Sequence, residues 1–165
     1  MKFAPNSAGR QNTATFATVK EHLVQHIQSK SGGQDVAESL AQMKLVNLEN
    51  EKPKREWSTN SNEEQKAREQ KDFDNEFDVR IKLHGERERD LRLGLNQAYA
   101  IIMSKYCTQG MVNRVEAHPE FQDKVKNDPI KLLEVIQTAM SNPVRPKDRL
   151  RASRVMTGKF DSVDG

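Results

Sequence analysis

Hydrophobic residues in the first quarter of the chain recur every three or four positions, with polar residues between them. This spacing puts them on one face of an amphipathic α-helix. It predicts a first helix that begins at Thr13 and ends before the sequence SGG at 31–33, because glycine readily adopts the left-handed conformation that closes a helix. A second, short helix is predicted to follow. The apolar positions are Phe16, Val19, Leu23 and Ile27 in the first helix, and Val36, Leu40 and Met43 in the second.

A long, heavily charged helix is predicted from Glu63 to Tyr106. Acidic residues stand four positions before basic ones at several places along it, an arrangement that stabilises a helix by about 0.2–0.5 kcal/mol per pair. Gly85 and Gly94 interrupt the pattern. We therefore expect either a kink near Gly85 or a long helix whose first half projects into solvent. The predicted apolar seam of this helix consists of Phe73, Phe77, Ile81, Leu91, Leu95, Ala98 and Ile102.

Two further helices are predicted in the last third of the chain. Met111 and Val115 indicate a short helix that stops at Pro119. Asp128 suits the N-cap of the next helix and Pro129 suits its first turn. The buried stripe of that helix is predicted to be Ile130, Leu133, Ile136 and Met140. Strand-like alternation of useful length is absent from the sequence, so the predicted fold class is all-α: an irregular, capsid-like bundle of about five helices with flexible termini.

Three segments lack this periodicity and set the predicted domain boundaries. Residues 1–12 are small and polar, and predict a disordered N-terminus. Residues 46–62 predict a linker, in which Trp57 is able to dock on the helical core. Residues 143–165 predict a flexible basic tail that starts at two prolines. One helical domain, residues 13–142, lies between the two termini.

The composition narrows the class of protein. Of 165 residues, 35% are hydrophobic and 31% are charged, so the chain has enough apolar residues for one modest core. The single cysteine excludes an intramolecular disulfide and fits a reducing compartment. The sequence contains no apolar run long enough to span a membrane and no secretory signal pattern. We therefore expect a soluble protein of the cytoplasm.

The stretch YCTQGMVNRVEAHPEF, residues 106–121, contains the chain's one cysteine and a histidine eleven positions later. Cys107 is a nucleophile only if a base such as His118 converges on it, whereas a free cysteine at the end of an apolar helix usually packs as a small hydrophobe. His22 and His26 stand four apart, but too few ligands accompany them for a zinc site. We expect packing at Cys107, with no metal, cofactor, small-molecule substrate or catalytic activity.

The tail carries a cluster of positive charge on an otherwise nearly balanced chain, whose net charge is +3. Clustered cations bind phosphates without sequence preference, and that binding weakens as the salt concentration rises. A basic terminus is also a common way to keep a protein in solution. The candidate nucleic-acid-binding residues are Arg145, Lys147, Arg149, Arg151, Arg154 and Lys159.

Residues 99–145 resemble the gag, or capsid-type, proteins of copia-type LTR retrotransposons, especially those abundant in diatoms and other marine eukaryotes. The matching features are a tyrosine-led apolar helix that ends in Tyr106-Cys107, the motif HPEF at 118–121, and the motif NDPI at 127–130 that opens a leucine-rich helix. Residues 16–98 match more loosely. The motif positions that the resemblance assigns to packing are Tyr99, Cys107, Met111, Val115, Phe121, Ile130 and Leu133.

The resemblance implies a structural protein without catalysis of its own, which self-associates through helical domains and helps to package the RNA of its element. Its partners would be further copies of itself and RNA, with no membrane. Family members usually continue beyond the position of Arg145 into another amphipathic helix, so we expect this chain to be truncated, decayed or a fragment. The alternative function is a nucleic-acid-binding accessory protein that acts through the basic tail.

Overall fold

The computed structural model describes residues 1–5 and 13–141, and within these ranges the protein is all-α, as predicted. The number of α-helices also agrees with the prediction of about five. They are α1 (Thr13–Gln28), α2 (Gln34–Gln42), α3 (Glu63–Ile101), α4 (Gln109–Glu116) and α5 (Pro129–Ser141). A 3-10 turn covers Glu49–Glu51, and π-helical turns cover Ile102–Tyr106 and Phe121–Val125.

Helix α5 lies at the centre of the bundle and contacts each of the other four α-helices. Its start is fixed by Asp128, whose Oδ1 accepts hydrogen bonds from the backbone N–H groups of Ile130 and Lys131 at 3.0 and 3.1 Å. This confirms the predicted N-cap. Most of the apolar side of the helix is enclosed by its neighbours, but Ile130 of the predicted stripe is only half-buried. Its buried residues include Leu132, Leu133, Ile136, Ala139 and Met140.

Helices α1 and α2 pack against each other across a tight glycine turn. Gly32 has a φ of 72°, which a residue with a Cβ adopts only with strain. The neighbouring Gly33 is buried, and a Cβ there would lie 2.1 Å from the carbonyl oxygen of Ile27. The turn therefore depends on both glycines. The predicted apolar face of α1 is confirmed, because Phe16, Val19, Leu23 and Ile27 are all buried.

Helix α3 is continuous through Gly85 for 39 residues, about 58 Å at 1.5 Å per residue. Its second half belongs to the bundle, where Leu91 and Ala98 of the seam are buried, as is Ile102 in the π-helical turn that follows. Its first half, residues 63–84, projects beyond the bundle and is called the arm below. Neither α3 nor any other helix in the described ranges combines the length and apolar character needed to cross a membrane.

The predicted linker is not a loose connection, because residues 51–60 lie along the arm as an extended strap. Side chains of the arm hold this strap by hydrogen bonds: the N–H of Ser58 donates to Gln70 Oε1 at 2.9 Å, and Gln70 Nε2 donates to the carbonyl of Glu56 at 3.1 Å. The guanidinium of Arg55 lies 4.9 Å from the ring centroid of Phe77. Trp57 does not dock on the core, since it points outward and is 71% exposed.

The start of the chain is packed against the bundle, which differs from the predicted disordered N-terminus at residues 1–12. Phe3 is wholly buried, and its backbone forms a β-bridge to Cys107. The N–H of Phe3 donates to the carbonyl of Tyr106, and the N–H of Thr108 donates to the carbonyl of Phe3. A large aromatic side chain gains enough by burial to hold these few residues. Residues 6–12 lie outside the described part of the chain.

Candidate functional site

The thiol of Cys107 lies in the packed corner where the π-helical turn after α3 meets the first residues of the chain. It is only 5% exposed, and burial raises its pKa to about 12. The positive charge of Lys2 lowers the pKa slightly and does not offset the burial. A thiol in this setting stays protonated at neutral pH and is a poor nucleophile. The structure thus places Cys107 in a packing position.

The three histidines considered from the sequence lie in different surroundings. Nδ1 of His118 accepts a hydrogen bond from the backbone N–H of Glu120 at 3.1 Å, which ties the ring to its own turn. His22 is exposed and His26 is half-buried beside Tyr106. Among residues 1–5 and 13–141, no group of three or more histidine, cysteine or acidic side chains is placed to hold a metal ion.

The seven motif residues attributed to packing are all buried or half-buried. Cys107, Met111, Val115 and Leu133 are buried, whereas Tyr99, Phe121 and Ile130 are half-buried against the same core. Burial, followed by the negative charge of Glu116, raises the pKa of Tyr99. The motif thus marks the corner between α3, α4 and α5.

The candidate nucleic-acid-binding residues all lie outside the described part of the chain. This set comprises Arg145, Lys147, Arg149, Arg151, Arg154 and Lys159. Their role stays a prediction from the sequence.

Ion pairs within the described residues tie the strap and α2 to α3. Arg87 donates to both carboxylate oxygens of Asp35 in α2, at 2.7 and 2.9 Å, and also pairs with Glu51 at the start of the strap. This contact lowers the pKa of Asp35. Within α3, two of the acid–base pairs spaced four positions apart form ion pairs. The guanidinium nitrogen lies 3.2 Å from the carboxylate oxygen in Glu64–Arg68 and 2.6 Å in Glu76–Arg80.

An open apolar groove of about 700 Å³ lies between the segment that follows α2, the middle of α3 and the start of α5. Hydrophobic side chains from these three elements form its floor and walls. They are Leu45, Val46, Leu48, Leu91, Leu95 and Ile130. Leu45 is 53% exposed at the edge, so part of this apolar surface faces solvent. Grooves of this size and character bind apolar groups in many proteins.

Two residues in the left-handed conformation shape the walls of the groove. Met43 ends α2 with a φ of 54°, and its N–H donates to the carbonyl of Leu40. Asn127 has a φ of 68° and comes just before α5. Residues other than glycine adopt this conformation rarely, and asparagine does so more readily than most. The chain therefore turns sharply at two places next to the groove, and no periodic pattern in the sequence marks it.

Large apolar side chains are also exposed on the side of α3 opposite its seam. Val79, Leu83 and Leu93 are 59%, 58% and 49% exposed. At 3.6 residues per turn they fall within an arc of about 80°. The seam lies roughly 140° away from the centre of that arc. We call Val79 and Leu83, which lie one turn apart on the arm, the outer face. Leu93 is not part of it, because at that level α3 faces the α1–α2 turn, and Leu93 lines a small cleft with Ile27, Gly33 and Val36.

Comparisons with protein-family models, with curated proteins and with solved structures find no match for this chain. Among the described residues, the features that remain without a role in folding are the groove, the outer face and the exposed Trp57.

Proposed function

We propose that this protein is a non-enzymatic structural protein of the gag kind, which self-associates into particles and contributes to packaging the RNA of a copia-type retrotransposon. The outer face of α3 carries this proposal. Val79 and Leu83 are 59% and 58% exposed, one turn apart, on the side of the arm opposite its seam. Large apolar side chains grouped on one exposed face are typical of protein–protein contacts.

The magnitude of the expected association follows from these side chains. Full burial of an exposed Val or Leu contributes about 1.5–3 kcal/mol, and these two are already partly covered. Four such side chains from two copies offset part of the entropic cost of association, which is about 4–15 kcal/mol. We therefore expect weak, reversible self-association that strengthens when many copies assemble.

The non-enzymatic part of the proposal is supported by the chemistry of the candidate residues. Cys107 is buried with a raised pKa, and the ring of His118 is held by its own turn. The RNA part of the proposal is supported only by the cations of the tail and by the resemblance of residues 99–145 to gag proteins.

Sedimentation velocity over a concentration series tests the proposal. The wild type should show an average mass that rises with concentration, and V79Q/L83Q should reduce that rise, because glutamine keeps the helix but removes the apolar surface. The matched control, K66Q/K71Q, changes two exposed lysines elsewhere on the arm and should behave as the wild type. A wild type that stays monomeric at every concentration would refute self-association.

A further inference from the structure

The most exposed of the described aromatic side chains lies on the strap, which presents it in a fixed position. Trp57 is 71% exposed, yet its chain neighbours on both sides are hydrogen-bonded to the same side chain. The carbonyl of Glu56 accepts from Gln70 Nε2, and the N–H of Ser58 donates to Gln70 Oε1. An indole held in this way loses little conformational freedom when it binds a partner. Exposed tryptophans of this kind often dominate the energetics of an interface.

The groove suits such a side chain in size and character. Its volume of about 700 Å³ is open to solvent, and Leu45, Leu91 and Leu95 line it together with Ile130. An indole ring is flat and apolar over most of its surface, so it fits an open apolar cleft. Its single N–H has polar partners within reach, because Asn47 and Asn96 also line the groove.

Trp57 cannot enter the groove of its own copy. Gln70 holds the strap on either side of Trp57, and Leu91 of the groove lies 21 positions further along the same unbroken helix. At 1.5 Å per residue this separation is about 31 Å. Any contact between the two features therefore joins two copies of the chain.

The charges around the two features are complementary. The groove is lined by three carboxylates, Glu49, Glu88 and Asp128, and by two cations, Arg92 and Lys131, which gives it a net charge of −1. The strap carries Lys52, Lys54 and Arg55 against Glu51 and Glu56, which gives it a net charge of +1. Opposite charges around an apolar contact favour the correct orientation and speed the encounter.

We propose that Trp57 of one copy binds in the groove of a second copy. This inference rests on the proposed self-association and names one of its contacts. Because each copy carries both the tryptophan and the groove, two copies can exchange the contact reciprocally in a two-fold dimer, or copies can join head-to-tail. Head-to-tail contacts give a ring where the rotation closes and a filament where it does not. Other occupants of the groove, such as a small apolar molecule or a different protein, are outcomes of the test below.

Intrinsic fluorescence tests the contact directly, because Trp57 is the only tryptophan in the chain. L45E changes an exposed residue at the edge of the groove and keeps Trp57. W57A keeps the groove and has no tryptophan signal. When W57A is titrated into L45E, the emission of Trp57 should shift to shorter wavelength and saturate. The double variant W57A/L45E is the matched control and should cause no shift.

The possible results separate this contact from the broader proposal. A wild type that associates while the titration gives no shift, or gives the same shift with the double variant, overturns the Trp57 contact and leaves self-association standing. A wild type that is monomeric at every concentration overturns both. A saturable shift that only W57A produces supports the contact and excludes another occupant as the main role of the groove. Far-ultraviolet circular dichroism checks that L45E, W57A and the double variant are folded.

Discussion

Replacing Gly94 by alanine should destabilise the protein, whereas the same replacement at Gly85 should stabilise it. Both glycines lie inside α3, but their surroundings differ. A Cβ at Gly94 would lie 2.5 Å from Cγ2 of Val36, a fully buried residue of α2. A Cβ at Gly85 would meet nothing within 4 Å.

The difference in stability between the two variants can be estimated because both share the gain from replacing glycine by alanine inside a helix. Alanine is about 1 kcal/mol more favourable than glycine inside a helix, so G85A should gain up to that amount. G94A receives the same gain but forces a methyl group into a packed contact, which costs about 1–3 kcal/mol. The difference in unfolding free energy between the variants should therefore be about 1–3 kcal/mol, with G94A the less stable.

Urea unfolding followed by circular dichroism measures this difference. For a chain of this length, each kcal/mol of difference in unfolding free energy corresponds to a difference of roughly 2–4 °C in the melting temperature. A third variant identifies the cause: V36A removes the obstructing methyl group, so G94A should cost less in the V36A background than in the wild type. Equal stability of G94A and G85A would refute the close approach of α2 to α3 and the reasoning built on it.

Three further predictions concern other parts of the chain. R87Q should lower the free energy of unfolding by about 0.5–1 kcal/mol at pH 7, because it removes the ion pair with Asp35. Arg87 lowers the pKa of Asp35 from its usual value of 3.8, so this loss should become smaller as the pH falls and Asp35 is protonated. Urea titrations at pH 2–3 measure it, and a loss as large as at pH 7 would contradict the pairing. Cys107 should resist iodoacetamide at pH 8 until denaturant is added, and rapid alkylation of the folded protein, detected by mass spectrometry, would show that the thiol is accessible. Deleting residues 145–159 should weaken RNA binding and flatten its dependence on salt in filter-binding assays, whereas an unchanged affinity would exclude the tail as the binding element.

The helical framework could be predicted because its signals are local. The spacing of Phe16, Val19, Leu23 and Ile27 defines α1 without reference to any other segment. Asp128 and Pro129 are adjacent in the sequence and likewise mark the start of α5 without reference to distant residues. The charge pairs of α3 indicated a helix, but its glycines left two possibilities: a kink near Gly85, or a long helix whose first half projects into solvent. The structure has the second, a helix that is continuous through Gly85.

The surfaces that suggest a function could not be predicted in the same way, because they depend on distant contacts. The strap is held by Gln70, a residue whose side chain carries no sign of that role in the sequence. The groove exists because Met43 and Asn127 turn the chain in the left-handed region and bring three separate segments together. The prediction that Trp57 docks on the core failed for a related reason, since the strap runs along the arm and away from the bundle.

The buried Phe3 has a consequence for the order in which the protein folds. It bridges to Cys107, about 104 positions away, and its ring also lies 5.4 Å from the ring of Phe16. Closing a loop of 104 residues costs about 2 kcal/mol more entropy than closing one of 13. Once α1 has docked on the bundle, the shorter loop is the only one left to close. The first residues of the chain should therefore be among the last to reach their native positions, and they should dock on the bundle after its helices have packed together.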